Sequence, residues 1–445
     1  MLSSSSPWKK PWYAPRLTIT NRTANTISSR AGHARRIRAI VTAAARQQGF
    51  DIRRPEDSKW FFRVSELLEP CDARELAEAL REAAARGRSI SLGGNFSKQA
   101  MAGPTAPAEV IISTRRLRRV LSYDPRDLTV SVEAGLRFAE LSRLLAGYGQ
   151  MVPLDPCFGE HTTVGGALAA NLSGPRRRLY GAPRDMLIGM KLAIVEGKII
   201  ESGGMVVKNV AGLDVGRLLI GSFGTLAAIV SANFRSFPIP PAWRTYWRSF
   251  PELSAALEAR DRILKSPLQP AALDLLNPAG AARLGHQGYL LALEAGGSLT
   301  VLERYSRELP GWEVMPPEQA EQFWSRVREF APEHLAAFPE GCVVRVSSTL
   351  AGLASVLAAA EGPALARAGS GTVWVCFPDC ESAQKWTRFA SSRAWQALIE
   401  FAPPERKLQM DLWPAPGDDF GLMQKLKQMF DPHHLLNRGR LYGRI

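Results

Sequence analysis

Two glycine-rich segments, set about seventy residues apart, limit most sharply what this chain can become. The first, Gly93-Gly94-Asn95-Phe96-Ser97-Lys98, follows the short apolar run "SISL". The second, Thr163-Val164-Gly165-Gly166, opens the small-residue run "TTVGGALAAN". Glycine tolerates backbone conformations and close approaches that other residues do not, so such loops present successive main-chain N–H groups to an anion or a flat ligand. Ser97 and Lys98 add a hydroxyl and a positive charge suited to a phosphate, and the small residues after Gly166 let a short helix pack beneath the second loop. Taken singly, each loop also reads as a plain turn with no ligand. Neither GxxxxGK[ST] nor GxGxxG occurs, which disfavours those two nucleotide-binding routes.

The texture around the loops is α+β. "DARELAEALREAAARG" predicts a helix from Asp72, with Glu75 completing a capping box, Leu76, Ala79, Leu80 and Ala83 on one face, and Gly87 as a stop. Strands are expected at 89 to 92, in "EVIIS", and in "DLTVSVEAG", where Leu128, Val130 and Val132 alternate. An amphipathic helix runs through Phe138, Leu141, Leu144 and Leu145, and "MLIGMKLAIVEGKIIES" reads as a hairpin turning at Glu196-Gly197. A further strand lies in "FGTLAAIVSANFRSF", before the proline cluster "FPIPP" at 237 to 241, which marks a domain boundary. From 242 to 412 strands alternate with helical patterns, a second α+β domain. "FGLMQKLKQMFDP" is a helix ending at Pro432.

The formal net charge of +14 suggests a nucleic-acid partner until its location is considered. Residues 1 to 50 hold nine Lys and Arg and no acid, which leaves +5 for the other 395 residues and discounts a genome-facing role for the body. That basic, Ser- and Thr-rich start reads equally as an organellar transit peptide or as a long N-terminal extension. The expected location is cytoplasmic, membrane-associated only through partners, and organellar if the extension is a transit peptide. "LLIGSFGTLAAIVSANF" is the longest uncharged stretch, and its Gly, Ser, Thr and Asn favour a buried strand and turn over a membrane helix. Cys71, Cys157, Cys342, Cys376 and Cys380 are odd in number, widely spread and free of CxxC pairs. They fit a reducing compartment and offer no iron–sulfur or zinc site, so no metal is expected.

Three stretches taken together resemble a known family: "SLGGNFSKQAMAG", then "VPLDPCFGEHTTVGGALAANLSGPRRRLYGAPRDMLIGMKLAIVEGKII", then "GGMVVKNVAGLDVGRLLIGSFGTLAAIV". They look like the FAD-binding domain of the vanillyl-alcohol-oxidase/PCMH-type FAD-linked oxidases, and within it the FAD-binding subunits of glycolate oxidase (GlcE-like). The closing "MFDPHHLLNRGRLY" resembles that family's C-terminal signature. The resemblance implies a basic extension over 1–60, a two-subdomain PCMH-type FAD-binding domain over 61–241, an α+β cap carrying the substrate pocket over 242–412, and a C-terminal segment, 413–445, returning to the flavin. It implies that Gly93, Gly94, Asn95, Phe96, Ser97 and Lys98 hold the FAD pyrophosphate. Pro153, Asp155, Thr163, Gly165 and Gly166 would line the flavin, with Asn171, Ser173 and Gly174 along its ribityl and ring side. Gly221, Ser222, Gly224, Thr225 and Ile229 would close over the adenine and ribose. Asn437 and Arg440 would reach the isoalloxazine as the candidate catalytic groups, favouring charge that builds on the ring. The sequence departs from the family at Arg438, where proline is usual, at Ala227, where glycine is common, and at Leu213, where an aromatic is frequent.

The activity implied is oxidation of a small 2-hydroxy acid, glycolate or D-lactate, by hydride transfer to FAD. A second flavoprotein subunit and an iron–sulfur subunit are the implied partners. Histidines at 33, 161, 286, 334, 433 and 434 form no metal-binding pair with an acid, of the kind hydroxy-acid oxidising relatives carry. Two other readings therefore stand: a catalytically silent FAD-binding scaffold, and a stand-alone FAD-linked oxidoreductase with another substrate. Arg176 to Arg178 admit a substrate carboxylate, an FAD phosphate, a solvated turn or a partner contact. His161 reads as a polar loop residue before a base or a flavin attachment point, His433 and His434 as surface residues, and Asp185 as a structural partner of Arg184.

Overall fold

The computed structural model describes residues 65–104, 106–205 and 214–445. The basic extension, the "VKNVAG" segment and Leu213 lie outside the described residues. The first helix, α1, spans Ala73–Ala85. The Asp72 carboxylate accepts from the N–H groups of Arg74 and Glu75, while Glu75 reaches back to the N–H of Cys71 at 2.8 Å. Strands β1 (Ile90–Gly93) and β2 (Val110–Ser113) pair in parallel, and the glycine loop leaves directly from the end of β1. Leu76, Leu80 and Ala83 of α1 pack on Ile90, Val110 and Ile112, and on Ala193 and Val230 of the neighbouring sheet.

That sheet has five antiparallel strands: β3 (Val120–Asp124), β4 (Thr129–Glu133), β5 (Leu187–Ala193), β6 (Ile199–Gly203) and β7 (Ala228–Arg235), in the order β3-β4-β7-β5-β6. The hairpin read at Glu196-Gly197 joins β5 to β6, with Gly197 at a positive φ of 80° that favours glycine. Leu128 falls outside β4. It sits in a left-handed turn at φ 54°, and all five residues of β4 are buried. The alternation seen in the sequence therefore marks two covered faces. Val130 and Val132 join the apolar core, while Ser131 bonds Asn233 and Glu133 takes three donors from Arg119. Helices α2 (Phe138–Ala146) and α3 (Val164–Ala169) cover this sheet through Phe138, Leu141, Leu145, Val164 and Leu168.

The proline cluster is part of the fold: Phe237–Pro238 pairs with Gln150–Met151 before the chain enters a second, eight-stranded sheet. Its strands are β8 (Ala242–Phe250), β9 (Ala272–Leu276), β10 (Tyr289–Gly297), β11 (Glu313–Met315), β12 (Cys342–Ser347), β13 (Ala364–Arg367), β14 (Thr372–Phe377) and β15 (Gln396–Phe401), ordered β11-β8-β10-β9-β13-β14-β12-β15. Helices including Leu253–Lys265 and Cys380–Ser392 bury one face. The other face packs on Phe323, Trp324 and Phe330, and on Met101, Ala170 and Leu172 from the loops that leave the first sheet. The last helix, α4, covers Phe420–Phe430. Residues 435–437 then lie alongside β1, with Ile90 N–H on the Leu435 carbonyl at 2.8 Å and Asn437 N–H on the Ile90 carbonyl at 2.9 Å.

Candidate functional site

The two glycine loops meet. A Cβ on Gly94 would fall 2.5 Å from Thr163 Oγ1, so the absence of a side chain there is what lets the loops touch. Gly165 serves packing in the same way, against Ala134 beneath it. Gly166 also lines the cleft: a Cβ there would fall 3.0 Å from Thr163 Oγ1 and 3.3 Å from Lys98 Nζ. Thr163 is the N-cap of α3, its Oγ1 accepting from the Gly166 N–H at 3.1 Å. Ser113 Oγ and Thr114 Oγ1 at the end of β2 donate to the carbonyls of Gly94 and Gly93. These contacts turn the loop carbonyls toward protein.

Between the loops opens a cleft lined by main chain and side chains of both. Thirteen residues predicted from sequence line it: Gly93 to Lys98, Thr163, Gly165, Gly166, Gly224, Ile229, Asn437 and Arg440. Ala169, Ala170 and Phe223 complete its floor and wall. Phe223 went unread in the sequence, although its place between Gly221 and Gly224 in "GSFG" was a signal. It holds a left-handed conformation at φ 52°.

Two cations face this cleft, and both donate to hydroxyls or carbonyls. Lys98 Nζ bonds Ser97 Oγ and Thr162 Oγ1, each at 3.1 Å, and lies 5.7 Å from the centre of the Phe158 ring. Burial lowers its ammonium to about 8, against raising contributions from Cys157 and Glu329. Arg440 is 6% exposed, donates to the carbonyls of Lys98 and Gly103 at 3.1 and 3.3 Å, and sits 5.2 Å from the Phe223 ring. Burial lowers it to about 10. Asn437 is a backbone clamp: its Oδ1 accepts from Leu92 N–H at 2.7 Å, and its Nδ2 donates to the carbonyls of Leu92 and Phe223 at 2.9 and 2.7 Å. Lys427 of α4 and Asp431, the residue that caps it, hold this return in place. Lys427 Nζ bonds Asp431 at 2.6 Å and the Thr225 carbonyl at 2.7 Å, and Asp431 accepts from the N–H groups of Leu435 and Leu436.

The other predicted residues stand away from the lining. Pro153 is buried, and Asn171 is exposed in a left-handed turn. Asp155 lies 3.5 Å from Arg176, Ser173 accepts from Arg177 at 3.0 Å, and Gly174 packs on Asp155. Gly221 donates to the Leu168 carbonyl, and the buried hydroxyls of Ser222 and Thr225 are spent on the carbonyls of Leu219 and Ser222. Arg176 has an internal partner: its Nε and Nη2 donate to Glu294 of β10 at 2.8 and 3.1 Å, over the Trp243 ring at 4.5 Å. Burial opposes its charge, but Asp155 and Glu294 outweigh it and raise its pKa. Arg178 packs on Gly369. His161, His433 and His434 are exposed, and the Asp185 carboxylate accepts from the Ala182 N–H at 2.8 Å. Among the described residues, Cys71, Asp72 and Glu75 bring three metal-ligating groups together, and these are the cap of α1.

Two family models match the chain: an FAD binding domain over residues 65–203, and the C-terminal domain of FAD linked oxidases over residues 415–441. Glycolate oxidase subunit GlcE of Escherichia coli (strain K12) is 30% identical over 387 residues, 85% of this chain and 100% of that protein. The mitochondrial cytochrome-linked D-lactate dehydrogenase of Arabidopsis thaliana is 29% identical over 51% of this chain and 37% of its own length. Among solved structures, 4-ethylphenol oxidase from Gulosibacter chungangensis has a TM-score of 0.65 at 14% identity, covering 85% of this chain and 89% of that one. An alkyldihydroxyacetonephosphate synthase has a TM-score of 0.64 at 18% identity, over 83% and 75%. At those identities the two structures speak to the fold alone.

Proposed function

Because the chain belongs to the PCMH-type FAD-linked oxidases, in the family of the glycolate oxidase FAD-binding subunits, we propose that it holds FAD in the cleft between its two glycine loops as the FAD-binding subunit of a 2-hydroxy-acid oxidase or dehydrogenase. The observation that carries this reading is the pair of cations, the half-buried Lys98 and the buried Arg440, that line the cleft together with the main-chain loop Gly93–Lys98 and Phe223 and donate to hydroxyls and carbonyls. Such a donor set fits a diphosphate joined to flat rings. In the bound state FAD supplies the hydride-accepting chemistry on a CH–OH substrate. The chain's own part is to bind and orient. The loop Gly93–Lys98 with Lys98 would take the pyrophosphate, the strip Gly165 to Ala170 would lie flat beneath the cofactor, and Arg440 would favour negative charge on it. Asn437 would act by holding β1 and the Phe223 turn rather than by touching the reacting atoms.

The division of labour we propose is FAD binding by residues 61–241 and 413–445, and substrate contact by residues 242–412. A second flavoprotein subunit and an iron–sulfur subunit would complete the assembly. The word "subunit" in the relative's name and the five scattered cysteines support that reading. No helix among the described residues is long and apolar enough to cross a membrane; a cytoplasmic site of action is part of the proposal.

One observation favours the scaffold as a second reading. Ala170 of the cleft lining belongs to an apolar cluster with Met101, Phe330, Val343 and Phe401, which offers a substrate carboxylate no partner. Anaerobic addition of glycolate or D-lactate to the FAD-loaded chain, alone and with its partner subunits, separates the two. Bleaching of the flavin spectrum by the chain alone rejects the scaffold, and bleaching only with partners supports an obligate subunit. Folded protein that cannot be reconstituted with FAD sinks both.

A further inference from the structure

The segment Lys98–Gly103, which leaves the first glycine loop, is anchored by side chains more than three hundred residues later in the chain. Its edge runs along β15: Ala102 N–H donates to the Glu400 carbonyl at 3.0 Å, Ala402 N–H to the Ala100 carbonyl at 2.9 Å, and Met101 opposes Phe401. The remaining carbonyls need partners elsewhere, because a buried carbonyl without a donor costs about 1–3 kcal/mol. Arg440 takes those of Lys98 and Gly103. Lys407, in the short turn Lys407–Gln409, takes those of Gln99, Met101 and Ala102, each at 2.8 Å.

Lys407 is 2% exposed and does not line the cleft. An ammonium offers three N–H donors and no acceptor, and here three carbonyls meet them one for one. A neutral amine would turn its lone pair on one of those oxygens. The geometry thus holds the proton even though burial, and then the nearby Arg440, push the pKa well down. A buried ammonium tied to three main-chain oxygens is a rigid joint: none of its bonds can lengthen without exposing a carbonyl to apolar surroundings. What it fixes begins at the residue immediately after Lys98.

We propose that Lys407 is a positioning residue of the cofactor cleft, holding Gln99–Ala102 so that Lys98 and the loop Gly93–Lys98 keep the placement FAD requires. The inference rests on the reading of the cleft as an FAD site. It makes cofactor affinity depend on a side chain that touches no cofactor, and couples the cleft to the strand β15 of the eight-stranded sheet.

The test is FAD titration of the full chain by quenching of flavin fluorescence, with the thermal midpoint of the cofactor-free protein measured alongside. Lys407→Met should raise the FAD Kd by about tenfold or more, the scale expected when charged hydrogen bonds to a buried segment are lost. Lys407→Gln, which keeps two N–H donors, should fall between Met and wild type. A folded Lys407→Met protein with a Kd within about twofold of wild type, whatever its thermal midpoint, overturns the proposal. Wild-type protein that takes up no FAD would instead break the reading of the cleft. Should neither variant fold, hydrogen exchange on the wild type decides. FAD should slow exchange in the Lys407–Gln409 turn, and an unchanged rate there overturns the coupling.

Discussion

Two sets of charged side chains in this protein are held in different ways. At the eight-stranded sheet, charged side chains near the interior are committed to one another: Arg176 to Glu294, Arg345 to Glu400, and Arg367 to Asp274. Around the cleft beside β1, Lys98 donates to the hydroxyls of Ser97 and Thr162, and Arg440 donates to the carbonyls of Lys98 and Gly103. One region spends opposite charges on cohesion. The other places two positive charges beside an open cleft, where the proposed function puts the FAD. The backbone at the cleft is strained as well, with the lining residues Phe96, Phe223 and Asn437 at positive φ. Such conformations persist only when the surrounding structure imposes them.

The comparison breaks most decisively at Gly166. Its missing Cβ faces Lys98, so Gly166→Trp should abolish FAD binding in a protein that retains its fold; normal FAD content in that variant would show the cleft to be misassigned. A smaller effect is expected from the other region. Arg176→Met leaves the Glu294 carboxylate buried without its fork, and breaking such a pair typically costs about 3–5 kcal/mol. Denaturant unfolding should report that loss, while the FAD Kd of the folded variant should change little. A larger effect on FAD than on stability would mean that Arg176 belongs to the cofactor site after all.

The smallest effect sharpens the charge argument through pH. Lys98, lowered from 10.5 to about 8, is charged below that value and neutral above it in the cofactor-free protein. An anionic ligand favours the charged form, so FAD affinity should weaken as pH rises through 8 toward 10.5, by about tenfold, and stay flat over that window in Lys98→Met. Stability of the cofactor-free protein moves the other way. Its folded pKa lies below the unfolded one, so between 8 and 10.5 the unfolded chain binds more protons and the Lys98 contribution to stability rises with pH. An FAD affinity that is level from pH 7 to 10 would remove Lys98 from the phosphate contact.

Much of the fold was legible locally. Asp72 and Glu75 marked the start of α1, Glu196-Gly197 marked the turn of a hairpin, and "EVIIS" became β2. The glycine loops pointed to the cleft, and the small residues of α3 to close packing beneath it. Each of these signals is a periodicity or a special residue within about twenty positions, where sequence spacing and spatial spacing still agree. Legibility failed wherever the partner was distant. Three arginines in a row gave no sign that Arg176 would meet Glu294, a residue 118 positions later. Lys407, in the unremarkable run "PPERKLQM", gave no sign of the three carbonyls it would gather.

By itself, then, the order of residues determined the α+β elements, their turns and the two loops bare enough to admit a cofactor. Only the tertiary structure decided which predicted residues reach the cleft, that Asn437 clamps backbone, and that Arg440 and Lys407 carry the segment after Lys98. The physical reason is that hydrogen bonds and ion pairs are set by the geometry of groups once folded, and a lysine or arginine has the same local appearance whether water, a carboxylate or a ring of carbonyls awaits it.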